Sequence, residues 1–410
     1  MGLSRRAILA SSVGAVAPSI FITSTHAQAA KVDFALIAPL SGPWARGGQM
    51  MRQGAEMAVA DINAAGGIAA LGGAQVNLIV ADAGDAPDKA RNAAQRLVSE
   101  YPNLSGGSGS WLSSFTLAVT EVTERAGVPW LANGFADQVT ERGFKNVFQT
   151  IVTSSQMSGV IKSAAVNMAA SAGAKPKTVG LLVENTPAAQ ATAKPLINGG
   201  FADVGIQVVV NETFMPPLSD ATSLVQRVRS SRPDFLLVLS TSVQDNKLLI
   251  DKLKEFGMGP GALPIIVLGA QSGSPELLKL VGKDNLEGVL GTFSNWPKPV
   301  HAELVARMRA KYSEQWIGQD QISTYGDMWL LKEAVEKAKS ADRAKVADAL
   351  RSFDLTSGIA QYYSGGHIKF DDKGRLADAG MVIIQWREGT PTLVYPTGAG
   401  VPAATWSRKG

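Results

Sequence analysis

Enzymatic chemistry needs particular side chains at fixed spacing, and in this sequence each such spacing fails. Gly106-Gly107-Ser108-Gly109-Ser110 and Gly269-Ala270-Gln271-Ser272-Gly273 both miss the Gly-x-Ser-x-Gly order that exposes a serine nucleophile on a strand-to-helix turn. Beyond residue 30 the histidines are His301 and His367, far apart and without Cys or carboxylates at ligand spacing. No metal is therefore expected, and each His reads as a lone surface residue. Gly257-Met258-Gly259-Pro260-Gly261 lacks the Lys of a phosphate loop and the third Gly of a dinucleotide turn, and reads as a helix cap. Glu333, Glu336 and Asp342 read as a solvated helix face. The expectation is a protein that is not an enzyme and holds no cofactor.

What the sequence offers instead is polar donors beside aromatic rings. Ser108-Gly109-Ser110-Trp111-Leu112-Ser113-Ser114 precedes a helical stretch, so Ser113 and Ser114 can cap it or offer its free N–H groups to a carboxylate. Ser41-Gly42-Pro43-Trp44-Ala45-Arg46-Gly47 supplies a ring that can stack (Trp44) and a fork that can hold a carboxylate (Arg46). Asn133-Gly134-Phe135-Ala136-Asp137 adds backbone N–H groups and one ring; Phe293-Ser294-Asn295-Trp296 adds two more rings. Taken singly, each segment also reads as ordinary capping or packing. Four of them in one chain fit an aromatic pocket with a polar rim.

All four lie where strands hand over to helices. Short β-branched runs alternate with amphipathic stretches from Lys31 onward: strands at 32–40, 76–81 and 128–132, with helices at 48–65, 87–101 and 113–126. A second series places strands at 178–183, 206–211, 235–239 and 265–268, with helices at 155–171, 188–203, 220–230 and 243–256. Apolar runs such as Phe235-Leu236-Leu237-Val238-Leu239 suit parallel strands covered on both faces. A strand at 288–293, helices at 299–316, 324–339 and 342–352, and a hairpin over 381–395 complete the pattern. The fold class is α/β, with two doubly wound, Rossmann-like lobes.

The first thirty residues differ in kind. Arg5 and Arg6 precede an apolar stretch to Ile22 and a small-residue cleavage signal, Ala27-Gln28-Ala29, so 1–30 reads as an export peptide. The paired arginines resemble a twin-arginine signal, with standard secretion as the other route. Without them the 39 Lys and Arg fall to 37 against 35 Asp and Glu, a balance that gives nucleic-acid binding no support. With no cysteine there can be no disulfide, so the core alone must stabilise an exported chain of this size. No later run of eighteen apolar residues could span a bilayer.

Several segments together carry a family resemblance: Ala38-Pro39-Leu40-Ser41-Gly42-Pro43, Gly54-Ala55-Glu56-Met57-Ala58, Asp61-Ile62-Asn63-Ala64-Ala65-Gly66-Gly67, Asp82-Ala83-Gly84-Asp85, Arg125-Ala126-Gly127-Val128-Pro129 and the turn at Phe370 to Gly374. Their order resembles the branched-chain amino-acid (Leu/Ile/Val) binding-protein family. The resemblance implies a type I periplasmic solute-binding protein of an ABC transporter, with two lobes joined by a three-segment hinge and a cleft that closes on its ligand. One lobe would comprise 31–151 and 295–378, the other 152–294 and 379–410. It also implies a periplasmic location, a small organic ligand, a membrane permease as partner and a monomeric state.

In amino-acid-binding members a serine at a helix start, backbone groups and a threonine hold the carboxylate, while an acid from the second lobe holds the ammonium. The serine corresponds to Ser113 or Ser114; the next turn, Gly134-Phe135-Ala136, lacks the threonine; and Gln271 stands where the acid is expected. A buried ammonium without a charged partner is costly, so the sequence favours an aromatic or hydrophobic carboxylic acid over an α-amino acid. Asn185, Thr241 and Gln271 are further polar candidates, which keeps an amide or amino-acid ligand open. A ligand-sensing receptor domain without transport stays open as well.

Overall fold

The computed structural model describes Met1, residues 31–398 and residues 400–406. Apart from Met1, the expected export segment lies outside the described residues. The first sheet is wholly parallel: β1 (Lys31–Ala38), β2 (Gln75–Asp82), β3 (Gly106–Gly109), β4 (Trp130–Ala132) and β5 (Val147–Gln149), in the order β2-β1-β3-β4-β5. Between them run α1 (Ala45–Ala64), α2 (Pro87–Glu100) and α3 (Ser113–Arg125). Alternation along β1 sorts its side chains between two cores. Phe34 and Leu36 join Ala55 and Ile62 of α1, while Ala35 and Ile37 join Phe115 and Val119 of α3.

The second sheet holds β6 (Thr178–Glu184), β7 (Gln207–Phe214), β8 (Phe235–Leu239), β9 (Ile265–Leu268) and β10 (Leu290–Phe293), all parallel, with the antiparallel hairpin β11 (Val382–Arg387) and β12 (Thr390–Tyr395) on one edge. Its helices are α4 (Ser154–Ser171), α5 (Pro187–Pro195), α6 (Thr222–Ser231), α7 (Val243–Glu255), α8 (Pro275–Val281) and α9 (Lys283–Leu286). Helices α10 (Ala302–Tyr312), α11 (Gln319–Ala338) and α12 (Arg343–Arg351) return to the first sheet, where Met328 and Leu331 share the core of Phe34 and Leu36. The chain thus passes between the sheets after Gln149, after Phe293 and before Val382.

Polar side chains tie these passages together. The Val152 N–H donates to Ser294 Oγ at 2.9 Å, the Ser294 N–H to Gln319 Oε1 at 2.6 Å, and Asn295 Nδ2 to Ser323 Oγ at 2.8 Å. The Ser364 N–H closes the set on Asn295 Oδ1 at 2.7 Å. The start of α11 is therefore bonded directly to the crossover that follows β10.

Among the elements that differ from the sequence expectation, three bear on the site or its surroundings. Gly106–Gly109 is a central strand where the sequence reading placed none, because backbone pairing to β1 and β4 on both sides needs no large side chain. The helix expected over 188–203 ends at Pro195, and Asn198 and Gly199 leave helical geometry, Gly199 at φ 108°. Most consequential for the site, α11 begins at Gln319 and not near Thr324. Its polar first turn carries no apolar periodicity, yet all of it is buried. Gly54 allows α1 to press on this turn: a β-carbon there would lie 2.2 Å from the Gln321 carbonyl oxygen.

Candidate ligand-binding cleft

Open parallel sheets bind ligands beyond the carboxyl ends of their strands, where the strand order reverses. In the first sheet that point lies between β1 and β3, and in the second between β6 and β8. One cleft is lined from both. From the first sheet and α11 come Met51, Trp111, Ser113, Ser114, Asn133, Phe135, Gln319, Asp320 and Ser323; from the second come Thr186, Pro187, Thr241 and Ala270.

The wall on the side of the first sheet is built around the start of α3. Ser110 and Trp111 both adopt left-handed backbone geometry, φ 76° and 55°, an arrangement that costs non-glycine residues about 1–2 kcal/mol each and clusters at ligand clamps. The turn throws the Trp111 indole across α1, where it lies over Gly47; a β-carbon at that position would sit 2.7 Å from the ring. Two residues later α3 begins, and Ser113 and Ser114 of its first turn line the cleft at the positive end of a 13-residue helix dipole. Ser113 Oγ accepts the Ala136 N–H at 3.0 Å, which leaves the hydroxyl proton free to point elsewhere.

Beside this anion-friendly helix start stands an acid. Asp320, 4% exposed, accepts from Trp111 Nε1 at 3.2 Å and from Gln271 Nε2 at 3.3 Å. Burial pushes its carboxyl up to about 7 against the pull of these donors and of the Arg46 charge. The Gln271 bond joins the segment after β9 of the second sheet to the first turn of α11, which packs on the first sheet, and Gln271 Oε1 is buried without a partner.

The opposite wall is fixed from behind by Glu184, the last residue of β6, which is fully buried. Its Oε1 accepts the hydroxyls of Thr186 at 2.8 Å and Thr241 at 2.9 Å, and its Oε2 accepts the Thr241 N–H at 2.9 Å.

Residues 31–391 match a family described as periplasmic binding protein, which is nearly all of the described chain. This protein belongs to that family. Its relatives include the Leu/Ile/Val-binding protein homolog 7 of Brucella abortus (strain 2308), 29% identical over 400 residues that cover 94% of this chain and 97% of the relative. The fold matches the branched-chain amino acid transporter substrate-binding protein LivJ of Streptococcus pneumoniae, solved with isoleucine, at a TM-score of 0.75 with 19% identity over 89% of this chain and 98% of that one. It also matches a solute-binding protein of an ABC transporter from Rhodopseudomonas palustris BisB5, solved with 3,4-dihydroxybenzoic acid, at a TM-score of 0.73 with 20% identity over 87% and 93%. The type I periplasmic-binding architecture is thus that of this chain, and members of its family are binding proteins of transporters rather than enzymes. Among the described residues no group of three His, Cys, Asp or Glu could hold a metal, and no helix is long and apolar enough to cross a membrane.

Within this periplasmic binding protein the sequence-derived candidates divide. Trp111, Ser113, Ser114, Phe135 and Thr241 line the cleft. Gly134 and Ala136 are buried just behind it, Gly134 against Thr116 and Ser113, and Ala136 on Ser113 Oγ. Gln271 reaches the cleft only through Asp320. Four others are held elsewhere. Arg46 forks onto Glu314 at 2.8 and 2.6 Å, because that acid is nearly buried and needs the charge. Trp44 packs edge-on against Phe115, with ring centroids 5.8 Å apart. Phe293 is fully buried against Trp296 in the core of the second sheet. Asn185 points outward to Met215 Sδ and lines a separate surface groove. Sequence reasoning missed Asp320, Thr186, Gln319 and Ser323, while Asn133 lay in a segment it singled out for its backbone and ring. The only signal was the polar run Gln319-Asp320-Gln321 ahead of an apolar helix, which also fits an ordinary helix start.

Proposed function

We propose that this chain is the extracytoplasmic capture component of an ABC importer, and that its ligand is a small zwitterion with an apolar body. An α-amino acid with an apolar side chain is the first example. The observation that carries this reading is Asp320, a carboxylate buried in the cleft wall whose hydrogen-bond donors are all neutral. A ligand ammonium supplies the missing charge, and a ligand carboxylate meets the N–H groups of α3 one indole away. Met51, Trp111 and Phe135 cover the body between them. Asp320 thus supplies from the first sheet the acid missing at Gln271, and removes the objection to an amino acid. A simple aromatic carboxylate, in contrast, would place a second negative charge beside Asp320 and has no free Arg46 to receive it.

A second reading rests on the rings of Trp111 and Phe135: an aromatic acid carrying hydroxyl donors, as in the R. palustris complex, would also satisfy Asp320. In both readings 31–151 with 295–378 and 152–294 with 379–410 act as the two closing bodies. The protein acts as an exported monomer, with 1–30 as its leader, and presents the closed form to a membrane permease.

A thermal-shift panel on residues 31–410 tests the choice, since a ligand that binds only the folded state raises the melting temperature. Leucine and phenylalanine are expected to raise it and benzoate is not. A rise with benzoate alone refutes the zwitterion reading, and a rise with 3,4-dihydroxybenzoate alone selects the second.

A further inference from the structure

Two of the cleft's polar side chains have their hydrogen atoms already committed. A threonine hydroxyl has one proton to donate and lone pairs with which to accept. Thr186 and Thr241 both direct that proton onto the same Glu184 oxygen, at 2.8 and 2.9 Å. Their strands, β6 and β8, are neighbours at the switch point of the second sheet, so both hydroxyls come to the same wall of the cleft. Glu184 itself is fully buried, and its other oxygen is occupied by the Thr241 N–H at 2.9 Å.

We infer that Glu184 is the positioning residue that sets the polarity of this wall: it holds the Thr186 and Thr241 hydroxyls as pure acceptors, so that the second lobe reads hydrogen-bond donors on the ligand. The inference deepens the proposed function and rests on its reading of the cleft. It assigns the ammonium three acceptors, Asp320 from one side and two hydroxyls from the other, while the donors of α3 are left for the carboxylate. Burial raises the Glu184 carboxyl, yet a proton added to Oε2 leaves Oε1 accepting both hydroxyls, so the wall keeps its polarity in either charge state. The consequence is discrimination by functional group. A 2-oxo acid of the same shape presents only lone pairs to Thr186, Thr241 and Asp320, and unpaired buried acceptors are what make a polar site reject an analogue.

The test compares affinities by calorimetry for two isosteric pairs, leucine with 4-methyl-2-oxopentanoate and phenylalanine with phenylpyruvate. In Glu184→Gln the amide N–H donates to one hydroxyl, which frees that hydroxyl to donate into the cleft. The preference for amine over oxo acid is expected to fall at least tenfold, while the ligand-free melting temperature stays near that of the unaltered protein. Thr241→Val is expected to lose the preference similarly and Thr241→Ser to keep it, a contrast that decides the matter if Glu184→Gln does not fold. An unchanged preference in folded Glu184→Gln, or in Thr241→Val, overturns the role of Glu184, even where Asp320→Asn weakens leucine binding and so upholds the proposed function. If the unaltered protein binds the oxo acids as tightly as the amines, or binds neither pair, the reading of the cleft itself fails.

Discussion

Replacing Asp320 by Asn separates what this acid does for the fold from what it does for the ligand. Its folded-state carboxyl titrates near 7 because burial outweighs its donors, against 3.8 for an unperturbed Asp. Between about pH 4 and 7 the native state therefore holds a proton that the unfolded chain has released. Stability falls as pH rises through that window, by about 1.4 kcal/mol per pH unit and about 4 kcal/mol in all. Asn carries no charge to bury. The ligand-free variant should match the unaltered protein near pH 4 and exceed it at pH 8, by up to that amount, in urea denaturation at the two pH values. Binding should move in the opposite direction. An ammonium ligand selects the ionised carboxylate, so affinity in the unaltered protein should rise about fiftyfold from pH 5 to pH 7, as expected for one coupled proton on a group titrating near 7. In Asp320→Asn the slope should vanish and leucine affinity at pH 7.5 should drop about 10- to 100-fold, the loss of one charge-assisted contact. Leucine affinity that is within threefold of normal in the variant, or flat between pH 5 and 7 in the unaltered protein, would refute the argument.

Two further substitutions probe the scaffold. Arg46→Ala should leave ligand affinity within about threefold, since the guanidinium is committed to Glu314, but should destabilise the fold by about 2 kcal/mol in urea titration by leaving a nearly buried acid unpaired. Gly54→Ala should cost about 1–3 kcal/mol and weaken leucine binding as well, because the added carbon pushes on the α11 turn that carries Asp320; normal affinity with reduced stability would show that this turn moves independently of α1.

A second buried acid on the same helix shows how far the polar interior extends. Asp327 accepts from Ser108 Oγ at 2.6 Å, Asn133 Nδ2 at 3.0 Å and Tyr363 OH at 2.9 Å, and burial pushes its carboxyl up to about 6. Asn133 lines the cleft, and Ser364, next to Tyr363, is bonded to Asn295 in the crossover after β10. One face of α11 thereby connects the ligand wall, the floor beneath it and the crossover segments through continuous hydrogen bonds.

The alternation of β-branched runs and amphipathic helices determined the class of fold, because burial periodicity is a local property of the chain. The same logic located the α3 start, since a strand, a polar turn and a helix in succession must place serines at the sheet's carboxyl edge. Long-range partnership was not legible. Arg46 and Trp111 both read as residues for a ligand, yet Arg46 is claimed by Glu314, 268 positions away, and Trp111 is free to reach the cleft because Gly47 yields it space. Asp320 looked like one more polar residue ahead of a helix. Its importance comes from being carried by the returning chain onto the first sheet, where packing against α1 strips its water and leaves a charge for the ligand to answer. Sequence spacing states which groups a chain possesses; only the tertiary contacts decide which of them have already been satisfied by the protein and which are left for another molecule.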